Sequence, residues 1–128
     1  MQIDTDKYIR EGNSLIAEFC GANKVVKSRE VYYEWDNGRN YHVSDLKFHS
    51  DWNWLFRAID SVEALDKSPL NDFKVVIGRT TVVEWRGRNA HEDSHPLIEV
   101  NSHRRNRIQM TWKCICDFIR WYNKKNKP

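Results

Sequence analysis

The chain has 128 residues, six of them Trp, and 21 Lys or Arg against 18 Asp or Glu, a net charge of +3. That length suits one domain with a real core, and no apolar run approaches the ~18 residues of a membrane span. The polar, acidic start MQIDTDKYIREGN is not a signal peptide, so a soluble cytoplasmic protein is expected.

Residues 4–21 read as helical in their second half. Asn13 or Ser14 starts the helix, Leu15, Ile16 and Phe19 form a short apolar face, and Gly21 stops it. Gly12 is expected to break or delay it, with Tyr8 and Ile9 in a separate turn. Val25 to Trp35 is rich in β-branched and aromatic residues and reads as strand. Asp36-Asn37-Gly38 is a turn, because Asn-Gly readily takes positive φ. Tyr41 to Phe48 is extended or irregular. Ser50 then caps a helix from Asp51 to Leu65, with Asp51 in its first turn and Ser68-Pro69 beyond its end. Trp52, Leu55, Phe56, Ile59 and Val62 step by three and four and form its apolar stripe, with Trp54 beside it.

Phe73 to Trp85 alternates as a hairpin turning at Gly78-Arg79-Thr80. Residues 86–96 are loop, and Leu97 to Val100 is a last strand. Arg107 to Asn123 is the longest helix, with Ile108, Trp112, Ile115, Ile119 and Tyr122 on one face. Ser102 or Asn101 caps it, Lys113, Arg120 and Lys124 lie opposite, and Trp121 packs on the flank beside Cys114. This order gives an α+β fold, an α/β sandwich: a small antiparallel sheet of about three to five strands packed with three helices, the longest C-terminal.

Cys20, Cys114 and Cys116 are expected as reduced thiols. The last two stand about 200° apart around a helix and cannot readily chelate one metal. Charge is unevenly spread. From Asn101 onward eight basic residues face one acid, Asp117, while the rest of the chain is net acidic. Such a split marks either an anion-binding surface or a solvated basic tail.

Two constellations carry chemistry. His91-Glu92-Asp93-Ser94-His95 has metal-ligating and acid–base side chains, but lacks a third and fourth ligand at defined spacing. It reads as a polar loop; no metal site, cofactor or catalytic residue is assigned. Arg86, Arg88, Arg104, Arg105 and Arg107, with Trp85, Tyr32, Tyr33 and Trp35, combine phosphate-matching forks with stacking faces, as nucleotide binding requires. His49 either orients a ligand or bonds backbone at the helix start. There is no P-loop, GxGxxG, GxSxG or HExxH, and no helix-turn-helix, which disfavours duplex DNA.

Three blocks carry a resemblance. Asn13-Ser14-Leu15-Ile16-Ala17-Glu18-Phe19, Phe48-His49-Ser50-Asp51-Trp52-Asn53-Trp54-Leu55-Phe56 and Arg107 to Asn123 resemble, in that order, three segments of a group of small proteins of Bacteroidetes and their phages and prophages. The group is similar to the phage ABA sandwich domain. The chain departs from it in a longer basic loop between Trp85 and Leu97 and in Cys114-Ile115-Cys116. The resemblance implies an α/β sandwich and a phage setting, and implies no activity. Together these observations lead to an expected non-enzymatic binding protein of phage origin. It would sequester a small anionic nucleotide signal of host antiviral defence in the host cytoplasm. Arg86, Arg88, Arg105, Trp85 and His49 are its ligand-binding residues. The alternatives are a module binding a host or phage protein through Trp54 and Trp121, and a metal-dependent phosphodiesterase using His91, Asp93 and His95. A sheet edge or the Trp-rich surface is where a homodimer would form.

Overall fold

The computed structural model describes residues 5–65, 72–86, 95–101 and 106–125, with 72, 85–86, 95–97 and 101 described by backbone alone. Helix α1 (Thr5–Phe19) runs unbroken through Gly12. The expected break is absent because this glycine serves packing. A Cβ built on it would overlap Cζ2 of Trp112 and lie 2.6 Å from Cη2. The helix ends in a Schellman motif at Gly21 (φ +94°): Ala22 N–H donates to Ala17 O and Gly21 N–H to Glu18 O.

Strands β1 (Asn23–Lys27) and β2 (Glu30–Glu34) form a hairpin. Its two turn residues, Ser28 and Arg29, both have positive φ, +52° and +67°. That matches the twist of the flanking strands without the usual Asn-Gly. β3 (Asn40–His42) pairs with β2 across the expected turn, where Gly38 has φ +84°. A 3-10 turn, Val43–Asp45, follows. Helix α2 (Trp52–Glu63) is capped by Asp51 rather than Ser50: Asp51 has extended backbone, and its Oδ1 accepts from Asn53 N–H at 2.8 Å. Leu55, Ala58, Ile59 and Val62 are buried, whereas Phe56 is 49% exposed and lies against Trp52. The buried face thus centres on Ala58 and leaves Phe56 at its rim.

β4 (Asp72–Ile77) and β5 (Thr80–Arg86) form the second hairpin, turning at Gly78-Arg79, and β6 (His95–Asn101) pairs with β5 past a bulge at Val83/Glu84. The last strand begins at His95, earlier than the alternation alone suggests. Helix α3 (Arg107–Lys125) starts at a capping box. Asn106 Oδ1 accepts from Gln109 N–H at 2.9 Å and Gln109 Oε1 from Asn106 N–H at 3.2 Å. Asn106 therefore replaces the expected cap at Asn101, which ends β6; Ser102 lies outside the described residues.

The fold is α+β, with the longest helix C-terminal, and its strands divide into two antiparallel sheets, β1-β2-β3 and β4-β5-β6. α3 lies between β5 and β6 on one side and α1 on the other; α2 packs on β4 and α3, and β2 on α1. The half-turn between Cys114 and Cys116 makes this visible. Cys114 Sγ reaches Thr81 O at 3.4 Å on the sheet, and Cys116 Sγ reaches Gly12 O at 3.8 Å on α1. Thr111 Oγ1 donates to Arg107 O, so it accepts from Thr81 Oγ1 (2.9 Å), a buried hydroxyl pair tying α3 to β5. Eight residues of α3 are buried, more than one apolar stripe supplies, because both its sides are covered. Each large apolar side chain there contributes about 1.5–3 kcal/mol before entropy.

Candidate functional site

The most structured polar centre is Asn13, which is only 2% exposed. Its carboxamide orientation follows from partners that allow one role each. Trp112 Nε1–H can only donate, and it lies 2.9 Å from Oδ1; Leu46 O can only accept, and it lies 3.1 Å from Nδ2. The remaining Nδ2 hydrogen points to His49 Nδ1 at 2.8 Å. An amide NH2 has no lone pair to offer, so His49 Nδ1 must be the acceptor. A neutral imidazole with Nδ1 accepting carries its proton on Nε2. Burial lowers the His49 pKa, which acts in the same direction.

His49 is half-buried and lines a cavity of about 460 Å3 with Thr5, Tyr8, Ile9, Gln109, Trp112 and Lys113. That volume lies in the range of about 300–1,000 Å3 common for small-molecule sites. α1 supplies Tyr8, whose ring meets Trp112 edge-on at 5.4 Å. α3 supplies Gln109, Trp112 and Lys113 from adjacent turns. Lys113 Nζ pairs with Asp117 at 2.8 Å, and Arg120 bonds the same carboxylate, so the trio keeps a net positive charge. The residues lining the cavity thus carry an imidazole, an ammonium, an amide and an exposed tyrosine ring. Among the described residues, neither a carboxylate nor a thiol lines it.

Of the residues expected from the sequence, the structure places His49 in this cavity. Arg88 and Arg105 lie outside the described residues, as do His91 and Asp93. Trp85 and Arg86 are described by backbone alone: they end β5, where Trp85 pairs with Phe73 and with His95. Phe73 packs on Phe118 and Trp121, in the C-terminal half of α3, while the cavity lies at its N-terminal half. Tyr32 and Trp35 are occupied by ring contacts, Tyr32 with His42 and Trp35 with Tyr41 and Trp54. Trp54, expected as an exposed interface anchor, is half-buried among Trp35, Tyr41 and Phe48; Trp121 is half-buried on Phe73 and Phe118 under Lys125.

Tyr8, Asn13, Gln109, Trp112 and Lys113 were not marked as site residues by sequence. Asn13 carried a signal: it shares a helical face with Ile16 and Ala17, and a polar residue on an apolar face calls for buried partners. Among the described residues no His, Cys, Asp and Glu cluster could hold a metal, and no helix is long and apolar enough to cross a membrane. Comparison with family models, curated proteins and solved structures finds no match to this chain.

Proposed function

We propose that this chain is a non-enzymatic binding protein for a small anionic nucleotide, held in the His49 cavity. The observation that carries this reading is the Asn13–His49 bond. Asn13 occupies the imidazole lone pair at Nδ1, so the remaining ring nitrogen is a donor rather than a base. A fixed donor in a cavity that Lys113 also lines suits an anion, and Tyr8 supplies an aromatic surface for a base. The resemblance to phage and prophage proteins supplies the setting: sequestration of a nucleotide signal used in host antiviral defence.

The test is thermal shift of the purified chain against mono-, di-, cyclic and ADP-ribose-type nucleotides, with each nucleotide recovered and checked for integrity. A nucleotide at about 100 times its dissociation constant adds about 2.7 kcal/mol. The expected result is a clear rise, intact nucleotide, and loss of the rise in Lys113→Ala and His49→Leu. A chemically altered nucleotide would favour the hydrolase, and no shift with any nucleotide would sink the reading.

A further inference from the structure

Two more hollows neighbour the His49 cavity around α1, each sharing lining residues with the one before it. One, of about 290 Å3, shares Ile9 and His49 with that cavity and adds Asp6, Arg10, Asn13, Val43, Ser44 and Leu46. The next, of about 320 Å3, shares Arg10 and Val43 and reaches Lys24 and Arg29 on the β1–β2 hairpin. Consecutive helical positions turn by about 100°, so the track passing Tyr8, Ile9 and Arg10 bends around the helix rather than along it. Half the circumference of a helix about 10–12 Å across is roughly 15–20 Å, longer than one nucleotide needs.

The charge along this track is mainly positive. Lys113, Arg10, Lys24 and Arg29 are spread from end to end, and Lys24, Arg29 and Arg10 are exposed. Asp6, Glu11 and Glu30 also line it, against Lys113, Arg10, Lys7, Lys24 and Arg29, and Glu30 Oε2 accepts from His42 Nε2–H at 2.6 Å. Spaced cations leading away from an aromatic cavity match a chain of phosphates, not a single one.

We propose that the ligand is a single-stranded oligonucleotide, with one base in the His49 cavity and successive phosphates on Arg10 and then on Lys24 and Arg29. This rests on the reading of the His49 cavity as a nucleotide site. The test is fluorescence anisotropy with labelled oligothymidylates and oligouridylates of one to about six residues, at several salt concentrations. Affinity should rise at least about tenfold from one residue to three or four, with salt dependence growing by about 0.7 in log–log slope per phosphate engaged. Lys24→Gln with Arg29→Asn should remove that gain and lower the slope by about 1.4, leaving the mononucleotide unaffected; Asn keeps the positive φ of the turn. If the DNA and RNA series differ, the 2′-hydroxyl contributes as well, and the length gain still supports the proposal.

A mononucleotide that binds with no gain on lengthening overturns this inference and leaves the cavity assignment standing. Length-dependent binding that Lys24→Gln/Arg29→Asn abolishes but Lys113→Ala leaves untouched overturns the cavity assignment, and with it the base placed there, while the phosphate contacts on the hairpin stand. Absence of binding by every strand and by the mononucleotide overturns both.

Discussion

A carboxamide has two donor hydrogens and one oxygen, and Asn13 uses all three inside the protein, on His49, Leu46 and Trp112. Leu46 and His49 lie in the segment before α2 and Trp112 on α3, so this one residue fixes how α1 sits on both. The same bond makes His49 a proton sensor. Protonation would place a hydrogen on Nδ1 facing an amide that can only donate, so the charged ring must give up Asn13. The folded pKa is accordingly lowered by burial. The unfolded chain therefore binds more protons below the ordinary histidine pKa of about 6.5. Stability should be full above that value and decline as pH falls through the folded pKa. Melting temperature followed from about pH 7.5 to about pH 5 should fall in the wild type, and less steeply in His49→Gln, which keeps an acceptor for Asn13 but does not titrate. Parallel curves for the two proteins would show that His49 is not the group responsible.

At the scale of elements, the first hairpin breaks a local rule. Ser28 and Arg29 hold a conformation that glycine and asparagine adopt far more readily, at about 1–2 kcal/mol per ordinary residue. Ser28→Asn with Arg29→Gly should therefore stabilise the protein by about 1 kcal/mol in denaturant titration, while weakening oligonucleotide binding through the lost guanidinium. Unchanged stability would mean that the flanking strands already enforce the turn at little cost. This turn was not legible in the sequence, because its identity lies in strand pairing on either side and not in its own two residues. The Gly38 turn was legible for the opposite reason: Asn-Gly specifies it locally. The same contrast separates the helices. α2 and α3 show a period of three and four that survives folding. α1 is interrupted on paper by Gly12, whose purpose, room for the Trp112 ring, depends on a residue about a hundred positions away in the chain. Capping residues slipped by one to several positions, from Ser50 to Asp51 and to Asn106, because several side chains compete locally and only the backbone geometry chooses among them.

On the scale of the whole molecule, the candidate site was barely legible, because α1 and α3 bring its residues together from opposite ends of the chain; Asn13, Gln109, Trp112 and Lys113 stand in recognisable blocks, but only His49 reads from its own block as a ligand residue. The two-sheet arrangement also creates exposed edges, and the protein guards them differently. β1 is an edge strand with Lys24 and Lys27 on it, and Val26 is 62% exposed. Antiparallel self-pairing there would bring like charges together, which disfavours it. β4 is an edge of the other sheet and has α2 packed against it. Glu63, at the end of α2, reaches over: its Oε2 accepts from Val75 N–H at 2.9 Å and lies 3.7 Å from Lys74 Nζ. A carboxylate occupying an edge N–H removes one of the donors that a second strand would need. Glu63→Ala should leave the core intact, since Glu63 is at the helix end and half-buried, yet release that N–H beside Val76, which is 41% exposed. Light scattering after size-exclusion chromatography should then show more self-association as concentration rises. Glu63→Gln, which retains an oxygen acceptor for Val75, should behave as the wild type does. If Glu63→Ala associates no more than Glu63→Gln, the packing of α2 alone guards this edge and the carboxylate serves only Lys74.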